Sequence, residues 1–174
     1  MKVMGSNPSC DKRGKEYPVE CISWFDAQAF IRKLKKGAVK FRLPTEVEWE
    51  YACRSCGRDE DIPLNFPNAD PIEWSNHKSD GNKRPVGTLR SNYIGLYDMR
   101  GNVFEWVEDV YIDRIKAYAE YSRNNPIIKN GGDDRVLRGG CFSCVPGQFG
   151  CSGRNYGNPG GGEFVFGFRV VMIE

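Results

Sequence analysis

The stretch Gly95–Trp106, GLYDMRGNVFEW, restricts the possible folds more than any other part of this sequence. Two carboxylates, Asp98 and Glu105, lie within eight residues and flank an Arg-Gly-Asn turn. Acids on either side of a sharp turn can aim side-chain and carbonyl oxygens at one point, which is what a hard cation such as calcium requires. The alternative is that both are solvated loop acids. Arg135–Gly140, RVLRGG, and Gly167–Val171, GFRVV, read as short strands that would frame this loop.

Composition removes several function classes. With 174 residues the chain suits a single domain, 1–174. Its 25 basic and 23 acidic residues leave a net charge of +2 and no basic run, so no nucleic-acid partner is expected. No apolar stretch nears the roughly 20 residues a membrane span needs. The opening MKVMGSNPSC lacks the apolar core of a secretory signal, which makes a reducing, cytoplasmic setting the default expectation.

Local signals place two helices early. Ser23 and Asp26 form a capping pair ahead of Trp24, Ala27, Phe30, Ile31 and Leu34 at helical spacing, with Gly37 as the terminating residue. In FRLPTEVEWEYA a short strand and Pro44 lead into a second helix capped by Thr45 and Glu48. The interval 57–82 is polar and punctuated by prolines, and reads as a long surface loop held by ligand-bearing turns. Strands are expected near Pro85–Thr88, Val103–Val107, Arg135–Arg138 and Phe166–Ile173, and a short helix over Asp113–Ser122. Two helices followed by short strands and long loops indicate an α+β domain with a small twisted antiparallel sheet and much irregular loop.

Seven cysteines leave at least one thiol unpaired in a monomer. Cys53-x-x-Cys56 and Cys141-x-x-Cys144 each have the spacing of half a zinc site. Cys53, on the core side of its expected helix, argues against that use. Free thiols are the simpler reading.

The phrases MGSNPS, PVECISWFDAQAF, FRLPTEVEWEYA, PVGTLRSNYIGLYDMRGNVFEW, RVLRGG and GFRVV, in this order, resemble the formylglycine-generating enzyme family, also called sulfatase-modifying factor domains. The resemblance implies a C-type-lectin-like fold with bound calcium. It also implies that an N-terminal family segment usually found ahead of MGSNPS is absent here. One implied calcium site uses the side chains of Asp98 and Glu105 with the carbonyls of Gly101 and Val103. A second uses Asn76 and Asp80 with the carbonyls of His77 and Asn82.

Enzymes of this family oxidise a substrate cysteine with molecular oxygen, using Cu(I) held by two thiolates that follow the RGG phrase. Soft thiolates suit that ion. Cys144 matches the first position, whereas Phe149 stands at the second. Cys151 is the nearest thiol, and a copper site would need Cys144 with Cys151, or Cys141 with Cys144, on a re-routed loop. Export would instead allow a Cys10–Cys21 or a Cys144–Cys151 disulfide.

A non-enzymatic branch of the same family, the variable proteins of diversity-generating retroelements, displays a varied surface between the RGG and GFR phrases. In this chain those flanks are family-typical and the interval departs from the Asn- and Arg-rich pattern. Phe142, Ser143, Val145, Gln148, Phe149, Tyr156 and Glu163 are therefore the expected ligand-binding positions. Gly161, Phe164 and Phe166 depart too, the two phenylalanines being better suited to a core, while Tyr156 and Phe149 suit the surface. Aromatic rings among Gly and Ser give contact area at low entropy cost. The sequence expectation is thus a calcium-stabilised, non-catalytic protein that binds a protein or other macromolecule. Its alternative is a copper-dependent oxidase acting on a sulfatase cysteine.

Overall fold

The computed structural model describes residues 3–34, 38–57, 73–75, 79–121 and 126–173. Helices α1 (Trp24–Lys33) and α2 (Glu46–Cys53) start where their capping pairs predict. The Ser23 hydroxyl accepts the Asp26 N–H and Asp26 accepts the Ser23 N–H; Thr45 and Glu48 repeat the exchange. Each closed box satisfies two backbone donors that a helix start leaves free. α1 ends as Leu34 N–H turns back to the Ile31 and Phe30 carbonyls. Gly37 lies outside the described residues, as do Asn76 and His77 and most of the 57–82 loop.

Between the helices runs β1 (Lys40–Arg42). Next come β2 (Glu73–Trp74), β3 (Arg100–Gly101), β4 (Phe104–Val110), a short helix α3 (Arg114–Glu120), β5 (Arg135–Arg138), β6 (Arg154–Gly157), β7 (Phe166–Phe168) and β8 (Val171–Ile173). The main sheet has the order β6-β5-β4-β7. β5 pairs antiparallel with both β4 and β6, whereas β7 pairs parallel with β4. The sheet is therefore mixed, not purely antiparallel. The chain reaches β7 by the long 158–165 connection, which brings it alongside β4 in the same direction. β1 and the C-terminal β8 form a separate antiparallel ribbon.

Two strand expectations change. Pro85–Thr88 is a turn, because its polar groups bond sideways instead of along a ladder. Val86 N–H reaches the Glu16 carbonyl at 2.8 Å, Gly87 N–H reaches Asp98 and the Thr88 hydroxyl returns to the Pro85 carbonyl. The expected strand over 166–173 splits at Arg169 and Val170, where the Arg169 guanidinium turns inward to Glu105. β6 was not foreseen, since Arg-Asn-Tyr-Gly carries no apolar alternation.

β4 is the centre of the core, with six of its seven residues buried. Trp106 packs edge-on to Phe166 at 5.2 Å and its indole N–H bonds the Ile22 carbonyl. From the other side of the α1 start, the Trp24 indole N–H bonds the Val107 carbonyl at 2.9 Å. These two bonds seat α1 on the sheet and pair both indole donors.

A polar cluster fastens α2. Arg138, wholly buried, reaches Glu50 at 2.5 Å, the Cys151 carbonyl at 2.7 Å and the Gly153 carbonyl. Arg154 forks onto Glu46 at 2.6 and 2.9 Å. Asp109 accepts the Glu46 and Ile128 N–H groups and the Tyr121 hydroxyl.

Six of the seven cysteines are paired. Cys10 bonds Cys21, Cys53 bonds Cys151, and Cys141 bonds Cys144, leaving Cys56 as an exposed thiol. The free-thiol and zinc readings fall together, because Cys53 and Cys56 do not converge with Cys141 and Cys144. The Cys10–Cys21 alternative holds, whereas a Cys144–Cys151 bond does not: Cys151 lies under α2, wholly buried beside Cys53. The Cys53–Cys151 bond closes 98 residues, for which the chain-entropy argument gives about 4.7 kcal/mol. The same argument gives about 2 kcal/mol for the Cys141–Cys144 loop.

Burial, opposed by its N–H bonds from Ile128 and Glu46, holds the Asp109 carboxyl up to about 6, against 3.8 for the free side chain. The folded chain therefore binds this proton more tightly than the unfolded chain. Its contribution to stability is present below pH 3.8 and is lost as pH rises through about 6. Across pH 4 to 7, the unfolding free energy of wild type minus that of Asp109→Asn should fall with rising pH, as measured by urea denaturation. A flat difference would refute the assignment.

Candidate metal turn and C-terminal face

The 92–106 segment is tied down before it reaches the turn. Asn92 accepts the Ile94 and Leu96 N–H groups and donates to the Ala52 carbonyl at 2.8 Å, which fixes the loop to the end of α2. Three successive conformational demands follow. Asp98, Gly101 and Asn102 all take positive φ, at 55°, 91° and 62°. Asn and Asp tolerate this region better than most residues, and Gly takes it freely. Asn102 is buried and double-bonded to the Arg84 backbone, accepting its N–H and donating to its carbonyl.

Asp98, Gly101, Val103 and Glu105, the four residues expected to surround a cation, line one cavity of about 420 Å³ together with Tyr97, Asn102 and Arg169. Asp98 Oδ2 accepts the Gly87 N–H at 2.8 Å. Its other oxygen, Oδ1, is buried without a hydrogen-bond partner. Burial pushes the Asp98 carboxyl above its ordinary value, with Gly87 and Arg169 pulling it down and Glu105 pushing it up. Glu105 is more fully engaged. Arg169 meets it through two N–H groups at 2.5 and 2.6 Å, and the Trp49 indole donates at 2.7 Å. Each carboxylate oxygen has a second lone pair, so Glu105 can still share an oxygen. The donor set is all oxygen and contains an orphaned buried carboxylate atom, which fits a hard cation.

The second expected site is described only in part. Asp80 is exposed, takes φ of 50° and pairs with Arg84 at 3.0 Å. The Asn82 side chain donates to the Asp80 carbonyl.

The C-terminal face divides into core and surface. Ser143, Val145, Gln148, Tyr156 and Glu163 are exposed, and Tyr156 lies over Tyr111 at 4.4 Å. Phe142 is buried among the main-core residues, so its ring packs the interior. Phe149 is half-buried and meets the Phe104 ring edge-on at 4.9 Å. A Cβ at Gly140 would stand 2.9 Å from that of Phe149, and one at Gly153 would stand 2.7 Å from its Cα. Gly140 and Gly153 thus leave the room in which Phe149 sits. Phe166 is buried as expected, whereas Phe164 is 58% exposed and belongs to the surface after all. Its position after a Gly-Gly-Gly run, before any strand partner, was the available signal.

Of the two cysteine pairs considered for copper, Cys144 and Cys151 do not come together, whereas Cys141 and Cys144 do, as a disulfide. Cys144 is bonded to Cys141, and Cys151 to Cys53.

The sequence matches the family described as the sulfatase-modifying factor enzyme 1-like domain over residues 1–173. Serine/threonine-protein kinase Pkn1 of Chlamydia trachomatis is 33% identical over 157 residues, covering 90% of this chain and 24% of the kinase. The formylglycine-generating enzyme of Streptomyces coelicolor is 34% identical over 175 residues, covering 89% of this chain and 52% of the enzyme. The chain thus spans about a quarter to a half of the length of these relatives. Among solved structures, PvdO from Pseudomonas aeruginosa superposes with a TM-score of 0.79 at 27% identity, covering 92% of this chain and 63% of that one. Treponema denticola variable protein 1 superposes equally well, 0.79 at 24% identity, over 97% and 78% of the two chains, a likeness of fold alone. Both agree with the C-type-lectin-like architecture of two principal helices, small sheets and abundant loop.

Substitution should separate core from face. Phe149→Ala and Phe142→Ala should each lower stability by about 2–4 kcal/mol, and Val145→Ala and Gln148→Ala by less than about 0.5 kcal/mol. Chemical denaturation measures all four, and equal effects would contradict this division.

Proposed function

We propose that this chain, which belongs to the sulfatase-modifying factor enzyme 1-like domain family, is a calcium-stabilised ligand-binding module that does not carry out copper-dependent cysteine oxidation. One observation carries the reading. Where the family resemblance calls for a second copper-binding thiolate stands Phe149, its ring seated against Phe104 and backed by Gly140 and Gly153. The thiol at the first position, Cys144, is spent in a bond to Cys141.

The binding face is built from Ser143, Val145, Gln148, Tyr156 and Glu163, with Phe164 added from the structure. This is the same stretch on which variable proteins of diversity-generating retroelements display their varied positions, and the shared fold with the Treponema denticola protein supports a display role of that type. The partner is a protein or other macromolecule. The face has no concentration of basic charge that would favour nucleic acid, and no described helix is long and apolar enough to cross a membrane. Three disulfides support an oxidising compartment in place of the cytoplasmic default.

Bound calcium would supply the positive charge that Asp98 Oδ1 lacks. Asp98 and Glu105 would hold it with the Gly101 and Val103 carbonyls. Residues 101–102 also brace the display segment, because Gly101 N–H bonds the Gly139 carbonyl and the Asn102 carbonyl accepts Phe142 N–H. Ordering loops in advance lowers the cost of binding.

Calcium at about a hundredfold over its dissociation constant should raise the melting temperature by roughly 5–10 °C relative to chelator, and Asp98→Ala should abolish the shift. No shift for the wild type would remove calcium from the proposal. An anaerobic Cu(I) titration tests the rest: tight one-to-one binding, lost in Cys144→Ser, would replace this reading with the oxidase.

A further inference from the structure

The three disulfides occupy different chemical settings. Cys53–Cys151 is buried, with relative exposures of 1% and 0%, and is closed to an incoming thiolate. Cys10–Cys21 is more open, but a Glu20 carboxylate oxygen lies within 4.8 Å of both sulfurs. Glu20 is paired with the buried Lys83 and accepts the Cys10 N–H, so the residue beside these sulfurs is engaged in the framework and offers a leaving thiolate no donor. The Cys141–Cys144 pair has donors at both sulfurs. Cys141 N–H points to Cys144 Sγ at 3.2 Å, and the Ser143 hydroxyl lies 3.3 Å from Cys141 Sγ. Hydrogen bonds to sulfur favour the thiolate form. Cys144 is partly exposed while Cys141 is buried, so an attacker meets Cys144 first.

We infer that Cys141-Phe-Ser-Cys144 is a thiol–disulfide exchange site that oxidises a dithiol in a peptide or protein. A substrate thiolate attacks Cys144 Sγ, and the Cys141–Cys144 bond breaks. Cys141 leaves as a thiolate accepting from the Ser143 hydroxyl. The substrate's second thiolate then attacks its own sulfur in the mixed disulfide. Cys144 leaves as a thiolate accepting from Cys141 N–H. The substrate loses two electrons and two protons to become a disulfide, and the protein pair gains both as two thiols.

The loop is built to survive the cycle. With its bond open, the turn remains held at Phe142, whose N–H bonds the Asn102 carbonyl at 2.8 Å and whose carbonyl accepts the Ser79 hydroxyl at 2.5 Å. The two sulfurs therefore stay within reach of one another, which favours reoxidation by exchange with a second disulfide such as oxidised glutathione, itself reduced to two thiols. Beside the pair, Val145 is 65% exposed and Phe164, leaning on the Phe142 ring at 6.0 Å, is 58% exposed. These give apolar seating for the side chains that flank a substrate cysteine. The inference does not depend on the calcium-binding reading, because none of its steps uses Asp98 or Glu105.

The test uses the full chain carrying Cys56→Ser, which removes the one free thiol. The protein is incubated with reduced and oxidised glutathione, alkylated at successive times and mapped by mass spectrometry. The Cys141–Cys144 bond should open roughly tenfold or more faster than either of the others. The oxidised protein should also convert one equivalent of a synthetic two-cysteine peptide to its disulfide. Incubated with the disulfide form of the same peptide, Cys141→Ser should trap it on Cys144, the Cys144 thiolate attacking the peptide disulfide and one peptide thiolate leaving, whereas Cys144→Ser should trap far less. Earlier opening of Cys10–Cys21, or equal trapping by the two variants, would overturn the assignment. The comparison of opening rates, made with all three disulfides intact in the Cys56→Ser protein, decides the matter even if a second variant fails to fold.

Discussion

The buried guanidinium of Arg138 is the contact on which the rest of the domain depends. It extends from β5, touches Glu50 on α2 and takes in the carbonyls of Cys151 and Gly153, so one side chain joins sheet, helix and C-terminal loop. An arginine stays charged in proteins, and its burial is costly unless its donors and charge are matched; here the two Nη groups are bonded, while Nε is buried without a hydrogen-bond partner and faces Glu46. The Trp49 ring 5.2 Å away and Glu46 at 3.6 Å complete its surroundings. Removing any partner would leave a buried charge uncompensated, which links the three regions energetically.

The arrangement explains how a chain with so much loop keeps a defined surface. The main sheet offers only four strands, two of them no longer than four residues on one side of β4. Ordered structure beyond it comes from fasteners. The Cys53–Cys151 bond, the Asn92 staple and the Arg169–Glu105 pair each cross from loop to framework, and the Arg154–Glu46 fork ties β6 to α2. Most of these are polar or covalent, so they fix geometry more sharply than apolar burial would.

Legibility in the sequence followed the range of the interactions. Both helices could be read because Ser23–Asp26 and Thr45–Glu48 act within four residues. The turn that brings Asp98 and Glu105 to one cavity was readable for the same reason. β6 was missed because its residues are polar and its pairing depends on β5, many positions away. The cysteine pattern misled for a similar reason: spacing suggests Cys-x-x-Cys halves, yet Cys53 finds its partner 98 residues on. Phe149 was placed on the surface because nothing in the local sequence reveals that Gly140 and Gly153 let its backbone approach closely enough for the ring to reach Phe104.

That seat has a consequence for substitution. A cysteine at position 149 would not gain a thiolate partner by itself. Its small side chain would leave unfilled the space that the ring occupies against Phe104, and the sulfur at position 144 is bonded to Cys141. A change in packing and a change in pairing would have to occur together.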